Sequence, residues 1–357
     1  MNWSALLTAL GVSLLSALVL IRPAISLAER HGLVDRPGRH KRHKRPVPNV
    51  GGIVLFVAVW IALGASLLVS PLVVAEIGSA LPYIFAGALL IFLVGLADDV
   101  KPLSAWSKLL AQVAVGLVLY RGGLTIDPIT IPFAGSYEMG SLSVLITVVW
   151  VVMLTNAINL IDGLDGLAAG VSLIAALTLV VIGTIYSAGP AVLFAYALIG
   201  FLVIFLVFNR YPARIFLGDS GSLQIGYYFA VISLLVPIKS YTAAALYLPL
   251  LVLGVPLMEA GISFSRRLVA GKNILKADRR HLFHYLALAG LSPRAVVAIF
   301  YLLSAVFGAF AVAMYFLNRL VVFGLLVLFM VVISCLFLIF MARLSRPNRG
   351  RRGAEGN

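Results

Sequence analysis

Charged residues and cysteines are both scarce in this sequence. Only 11% of the 357 residues are charged, 62% are hydrophobic, and the mean hydropathy is +1.08. Because a soluble domain carries about 25% charged residues, this composition excludes an ordinary soluble protein. The single cysteine, Cys335, excludes an internal disulfide framework and a metal site built on cysteines.

Acidic residues are few as well: 13 Asp and Glu stand against 27 Lys and Arg, giving a formal net charge of +14. Such an excess is common in nucleic-acid-binding proteins. In so apolar a chain, the bias of Lys and Arg toward cytoplasmic loops explains it better. We therefore expect a polytopic membrane protein that binds no nucleic acid.

Apolar runs long enough to cross a bilayer recur along the chain. They predict one all-α membrane-embedded domain over 1–342 with about eleven transmembrane helices, or about ten if the short run 107–120 does not cross. The first run lacks the basic segment and cleavage site of a signal peptide, which predicts a retained helix. The predicted spans are 3–21, 51–70, 80–97, 107–120, 141–158, 164–186, 189–208, 220–238, 241–264, 295–317 and 320–342.

Lys and Arg are divided unevenly between alternate loops of this arrangement. One set of loops holds 24 of the 27, and the other holds Arg121, Lys239 and Arg319. The basic loops are expected in the cytoplasm, which places the N-terminus outside and the C-terminus inside. On the outer side, alternation near 124–134 predicts a small β-hairpin. The tail 343–357 is predicted to be a basic, disordered cytoplasmic segment.

Carboxylates are concentrated in three short blocks at the cytoplasmic ends of predicted spans. Clustered acids at membrane depth are costly, which makes them a functional-site hypothesis. Acids that converge from several helices onto one surface indicate a divalent cation and a phosphorylated ligand. They are Asp98, Asp99, Asp162, Asp165 and Asp219.

Each block also has a plainer interpretation. Asp98-Asp99 suits a cation ligand beside a proton acceptor, but it also suits a solvated helix end. In the second block, Asp162 and Asp165 share a helical face, although Asp-Gly pairs are ordinary turn formers. Asp219 lies at a predicted helix start, where it is either a magnesium ligand or an N-cap.

A long basic loop, 265–294, contains Arg266, Arg267, His281 and His284. Arg and His are suitable partners for a diphosphate, whereas most charge runs are simply solvated. Glu259, just before this loop, either seats it or caps the preceding helix.

Together these residues resemble the polyprenyl-phosphate N-acetylhexosamine-1-phosphate transferases, the MraY/WecA-like glycosyltransferase family 4. The resemblance covers residues 35 to about 290. Its motifs, in the family's order, are Asp35-x-Pro37, Pro48-x-x-Gly51-Gly52, Asp98-Asp99, Asn156-x-x-Asn159-x-x-Asp162-Gly-x-Asp165-Gly, Phe216-Leu-Gly-Asp219-Ser-Gly-Ser and the His-rich loop at His281.

The resemblance implies transfer of a sugar-1-phosphate from a UDP-sugar to polyprenyl phosphate, with release of UMP and with Mg²⁺ (or Mn²⁺) as cofactor. It implies a catalytic membrane domain in the bacterial inner membrane with a cytoplasmic active site, and it is compatible with a homodimer. By residue-to-residue correspondence, the implied metal ligands are Asp219 and Asp99, and the implied catalytic residues are Asp98, Asp99, Asp162 and His281. The implied substrate-binding residues are Asn159, Gly163, Leu164, Asp165, Asn209, Phe216, Arg266, Arg267 and His284, with Phe216 stacked on uracil.

The last motif determines the subgroup that the chain resembles. His281-Leu-Phe283-His284 is similar to the WecA-type pattern His-Ile/Leu-His-His, with Phe283 in place of an imidazole. The subgroup implies UDP-N-acetylglucosamine as donor and a role at the start of cell-wall or lipopolysaccharide O-antigen synthesis. The alternatives are another UDP-N-acetylamino sugar or the UDP-muramyl-pentapeptide. Outside this chemistry, the alternatives are a transporter of lipid-linked phosphates and a non-catalytic binder of nucleotide sugars.

Overall fold

The computed structural model describes residues 1–37, 45–131, 135–236, 249–269 and 281–345. Helices dominate these ranges, as the sequence predicts. In chain order they are α1 Trp3–His31, α2 Gly51–Val69, α3 Pro71–Ile77, α4 Leu81–Val100, α5 Ala105–Arg121, α6 Leu142–Ile161, α7 Leu167–Ile185, α8 Gly189–Asn209, α9 Gly218–Leu235, α10 Gly254–Val269, α11 Leu282–Leu288, α12 Pro293–Phe316 and α13 Arg319–Ser345, with a 3₁₀ turn at Gly78–Ala80.

Two short antiparallel pairs of strands accompany the helices. Strands β3 (Ile129–Ile131) and β4 (Gly135–Tyr137) form the predicted hairpin, although it lies slightly later in the chain than 124–134. The second pair, β1 (Val34–Asp35) with β2 (Val47–Pro48), was not predicted. It holds the two described ends of the first basic loop together.

Seven helices within the described ranges are long and apolar enough to cross a membrane. They are Trp3–His31, Gly51–Val69, Ala75–Val100, Leu142–Ile161, Leu167–Ile185, Gly189–Asn209 and Pro293–Phe316. The chain is therefore a polytopic membrane protein, as its composition predicts.

Four further predicted spans have weaker support. Helix α5 has only 17 residues, and α9 has 18 residues but begins with the polar or small residues 218–222. Of the predicted last span, Leu320–Ile333 is an apolar helix. The predicted span 241–264 begins outside the described residues, and the predicted tail 343–357 also lies outside them, apart from the end of α13.

Helix α9 is at the centre of the molecule. Every residue from Ser220 to Ser233 is buried, and the helix packs against α2, α4, α6 and α8. Small residues allow these close crossings: a Cβ at Gly95 of α4 would overlap the Ser220 backbone, and one at Gly226 would lie 2.5 Å from Thr155 Cα of α6. The N-terminus of α9 is thereby held beside the C-termini of α4 and α6.

Candidate active site

Asp99, at the end of α4, caps the N-terminus of α9. Its Oδ1 accepts a hydrogen bond of 2.7 Å from the Asp219 amide, and its Oδ2 accepts one of 3.0 Å from the Ser220 amide. The first amide groups of a helix have no partner within the helix, so a carboxylate there is stabilising. Gly218 has φ +73°, and a Cβ there would lie 2.6 Å from Asp99 Oδ2, which explains the glycine.

Because Asp99 caps this helix, the Asp219 side chain does not need to, and it points toward α5. Its Oδ2 lies 2.9 Å from the Lys108 ammonium, which also lies 3.1 Å from Asp98 Oδ2. The other oxygen of Asp98 accepts a 2.6 Å hydrogen bond from the Leu103 amide. Lys108 therefore places one positive charge between two carboxylates from different helices.

The two asparagines of the second block hold this arrangement from α6. The Asn159 amide donates to Asp219 Oδ1 at 3.1 Å and to Ser222 Oγ at 2.8 Å. One turn earlier, Asn156 donates to Gln112 of α5 at 2.6 Å. Because Gln112 lies one turn after Lys108, this contact also fixes where the ammonium stands.

The loop 162–166, which follows α6, is hydrogen-bonded to the end of α8 and to the loop between α8 and α9. Asp165 Oδ2 accepts a 2.9 Å hydrogen bond from the Ala213 amide. Asn209 Oδ1 accepts one of 2.9 Å from the Gly166 amide, and the Asn209 amide donates to the Ile215 carbonyl at 2.8 Å. Asp165 and Asn209 therefore both shape the wall of the cleft.

Asp162, just after α6, is the residue of this loop with the most perturbed ionisation. Burial, and after it the negative charges of Asp219, Asp99 and Asp165, together raise its pKa to about 8. We call Asp98, Asp99, Asp162 and Asp219 the acidic corner. Without a cation, this corner carries more negative charge than its surroundings readily stabilise.

The Pro48-x-x-Gly51-Gly52 motif joins the first loop to Phe216. The Phe216 amide donates to the Pro48 carbonyl at 2.8 Å, and the Gly51 amide donates to the Phe216 carbonyl at 3.0 Å. A Cβ at Gly52 would overlap Ser220 of α9. Both glycines are required by this close approach, which places Phe216 on the cleft wall.

A cleft of about 1240 Å³ opens beside these groups. Most of the predicted site residues line it: Asp99, Asn159, Asp162, Gly163, Leu164, Asp165, Asn209, Phe216, Asp219 and His284. Sequence reasoning missed Asn49, Arg45 and Arg214, which also line the cleft. Asn49 lies within the Pro48-x-x-Gly51-Gly52 motif and donates a hydrogen bond to Asp99 at 3.0 Å. The motif could therefore have indicated Asn49 as a site residue.

The remaining predicted site residues lie elsewhere. Asp98 is paired with Lys108, and His281 is buried against Glu259. Neither is among the described residues that line the cleft. Arg267 on α10 is likewise absent from that lining, and the Arg266 side chain lies outside what the structure describes.

The acidic corner has the donor chemistry of a site for a hard divalent cation. Carboxylate oxygens are the ligands that Mg²⁺ prefers, and Asp98 and Asp219 already share one cation, the Lys108 ammonium. Among the described residues, no three His, Cys, Asp or Glu side chains form a ready metal-binding group. The fit of Mg²⁺ to this site therefore rests on the carboxylate donors and on the ion pairs that Asp98 and Asp219 already make with Lys108.

Comparison with known proteins agrees with this site. Residues 81–237 match the family model described as glycosyl transferase family 4. A relative from Bacillus subtilis (strain 168), named "Probable undecaprenyl-phosphate N-acetylglucosaminyl 1-phosphate transferase", is 35% identical over 330 residues, which cover 90% of this chain and 89% of the relative. The chain belongs to glycosyl transferase family 4.

Two more distant family 4 relatives carry similar names. "Decaprenyl-phosphate N-acetylglucosaminephosphotransferase" of Mycobacterium tuberculosis (strain ATCC 25618 / H37Rv) is 34% identical, covering 78% of this chain and 75% of the relative. "Undecaprenyl-phosphate alpha-N-acetylglucosaminyl 1-phosphate transferase" of Escherichia coli (strain K12) is 29% identical, covering 81% and 78%. The predicted family membership is confirmed, and the region matched by the family 4 model runs from α4 to α9, including all three acidic blocks.

Proposed function

We propose that this protein transfers N-acetylglucosamine-1-phosphate from UDP-N-acetylglucosamine to polyprenyl phosphate, undecaprenyl phosphate in particular. UMP is released, and the lipid-linked product starts the synthesis of a cell-wall or lipopolysaccharide glycan. The observation that carries the proposal is the close approach of Asp98, Asp99, Asp219 and Lys108 beside a large cleft, which Asp99 and Asp219 line. The names of the relatives suggest the polyprenyl phosphate acceptor and the N-acetylglucosamine group, and the UDP donor follows from the resemblance described above.

The site suits transfer of a phosphoryl group. Such a reaction requires alignment of the reactants and neutralisation of the phosphate charge more than covalent help from the protein. Asp219 would hold Mg²⁺, which supplies positive charge to the phosphates when bound. Lys108 supplies a second positive charge from α5. Because the Asp99 oxygens accept hydrogen bonds from α9, the main contribution of Asp99 here is to orient Asp219.

The proton acceptor for the lipid phosphate is then Asp98. Its Oδ2 lies 3.1 Å from the Lys108 ammonium, and its side chain is also hydrogen-bonded to that of Asp219. A carboxylate here can take a proton when Lys108 turns toward the phosphates.

The nucleotide would lie along the opposite wall. Phe216 offers a ring for uracil, and the backbone at Gly163 and Leu164 borders the same space. Asp165 and Asn209 hold the surrounding loops through their hydrogen bonds to Ala213 and Gly166. Arg45 and Arg214 add positive charge at the cleft wall, where a diphosphate is favoured.

The proposal includes an inner-membrane topology with the site in the cytoplasm. Helices α4, α6 and α8 all end at the cleft, and α9 begins there. With about eleven spans and basic loops inside, these ends all fall on the cytoplasmic side. A homodimer is compatible with this arrangement.

The test is a donor panel with purified protein. Mixing it with Mg²⁺, undecaprenyl phosphate and UDP-N-acetylglucosamine should produce a lipid-linked diphosphate sugar and equimolar UMP. UDP-N-acetylgalactosamine and UDP-muramyl-pentapeptide should give much less. Another preferred UDP-sugar would correct the donor, and no UMP from any of them would refute the transferase.

A further inference from the structure

Glu259 on α10 makes a buried contact with the residue that starts α11. Its Oε1 accepts a 2.7 Å hydrogen bond from the Leu282 amide and lies 3.1 Å from His281 Nδ1. Glu259 is 1% exposed and His281 is 7% exposed. A carboxylate oxygen that already accepts from an amide favours a donating Nδ1–H on His281, which fixes the tautomer.

Packing alone would not favour a carboxylate at this position. The second oxygen of Glu259, Oε2, is buried and has no hydrogen-bond partner among the described residues. A buried carboxylate with one oxygen unsatisfied costs free energy, and an apolar side chain of similar size would pack without that cost. The carboxylate therefore has a role in orienting the imidazole.

Phe283 continues the chain of contacts toward the cleft. Its ring stacks on His281 with centroids 5.3 Å apart and planes 12° apart. The side chain is 2% exposed, and a Cβ at Gly163 would overlap it. Phe283 is thus seated directly on the loop between Asp162 and Asp165.

The two histidines of the motif consequently face different surroundings. His281 is directed to Glu259, whereas His284 lines the cleft. The His284 ring packs on Phe283 with centroids 4.4 Å apart. Phe283 therefore contacts both Gly163 and His284.

We propose that Glu259, His281 and Phe283 are positioning residues that hold α11 on the 162–166 loop and so place His284 in the cleft. His284 is the imidazole that contacts substrate phosphate, and Phe283 replaces an imidazole because this position is a packing contact with Gly163. This inference rests on the proposed function for its kinetic consequence, but its geometric content is independent of catalysis.

The first test uses Glu259→Gln, in which the amide keeps the size of the side chain but loses the charge. We expect kcat to fall by about tenfold or more, as is typical for groups that orient a functional residue, with KM for UDP-N-acetylglucosamine changed less than threefold. The melting temperature should stay unchanged or rise. Glu138→Gln, an exposed acid beside β4, is the control and should match the wild type.

A double-mutant cycle separates positioning from general damage. If Glu259 acts through His284, Glu259→Gln should have little further effect on kcat in a His284→Ala background. Independent, multiplicative losses would overturn the proposal. So would a wild-type kcat for Glu259→Gln, or a loss of kcat that tracks a lowered melting temperature.

¹⁵N-labelled histidine gives a readout that needs no turnover. In the wild type, His281 should show the Nδ1–H form, and Glu259→Leu, which removes the accepting oxygen, should abolish that preference while His284 shifts less. An unchanged His281 spectrum in the variant would refute the role of Glu259. If the wild-type protein has no transferase activity, the proposed function fails, and the spectra still decide the positioning.

Discussion

The Lys108 ammonium lies 2.9 Å from Asp219 Oδ2, joining the start of α5 to the start of α9. The same ammonium lies 3.1 Å from Asp98 Oδ2. A positive side chain thus pairs with the carboxylate of Asp219, which would hold Mg²⁺ in the proposed function. In that function, the lysine and the metal ion would compete for the negative charge of Asp219.

Replacing Lys108 by Met should raise the affinity of the substrate-free protein for the metal. Removing the competing charge should lower the Kd for Mn²⁺ by about tenfold, which corresponds to about 1.4 kcal/mol. Turnover should fall by about a hundredfold or more, because a positive charge at the phosphates is lost. Calorimetry or Mn²⁺ electron paramagnetic resonance measures the first effect. Lys101→Met, an exposed lysine in the α4–α5 turn, is the control; an unchanged or weaker Mn²⁺ affinity for Lys108→Met would contradict the competition.

Replacing Gly163 by Ala should push helix α11 away from the 162–166 loop. The new Cβ would overlap the Phe283 ring, and overpacking of this kind costs about 1–3 kcal/mol. We expect a lower melting temperature and a lower kcat. Gly64→Ala in α2, where a Cβ would meet nothing within 4 Å, is the matched control and should be neutral or slightly stabilising. Equal melting temperatures for the two variants would show that Phe283 is not seated on Gly163.

Asp162→Asn should change how stability depends on pH. The pKa of Asp162 is raised to about 8, so the folded protein binds more protons than the unfolded chain between pH 4 and pH 8. The stability contributed by this group is therefore present at low pH and lost as pH rises toward about 8. Without Mg²⁺, Asp162→Asn should melt about 2 °C above the wild type at pH 8.5 and close to it at pH 5. A stabilisation that is the same at both pH values would refute the assigned ionisation.

Phe216→Leu should weaken nucleotide binding selectively. Stacking of an aromatic side chain on a base is worth about 1–3 kcal/mol, so KM for the UDP-sugar should rise by about five- to a hundredfold. The effect on kcat should be small, because stacking on uracil is equally strong in the ground state and the transition state. Phe85→Leu, on the exposed face of α4, provides a control. A fall in kcat at constant KM would place Phe216 in the reaction and not in the uridine pocket.

Hydropathy could predict the helical membrane architecture and that the acids lie near one another, whereas the orientation inferred from charge stays a prediction. In the predicted arrangement, the ends of alternate spans lie on one side of the membrane. The loops after α4 and α6 and the loop before α9 are therefore expected to face the same compartment. Hydropathy could not predict where a helix ends. Helix α1 continues through Pro23 to His31, ten residues beyond the predicted span, because the boundary of the membrane does not end a helix. Gly32, with φ +72°, does end it.

Side-chain partners across helices were the least predictable feature. Lys108 was visible only as a polar residue in a short apolar run, and its ion pair depends on how α5 crosses α4 and α9. Asp99 was predicted to bind metal, a role that stays a prediction; the structure shows both of its oxygens on the amides of α9. The β1–β2 pair is too short for an alternating pattern, so sequence periodicity could not indicate it.

The most direct measurement compares wild-type protein with Asp219→Asn in two assays: UDP-N-acetylglucosamine binding, and formation of lipid-linked sugar with UMP release. If carboxylates from α4 and α9 jointly serve phosphoryl transfer, the variant should bind the nucleotide sugar within about tenfold of wild type and lose turnover by about a thousandfold. Turnover by Asp219→Asn at the wild-type rate, with Glu138→Gln as reference, would contradict the assignment of this site.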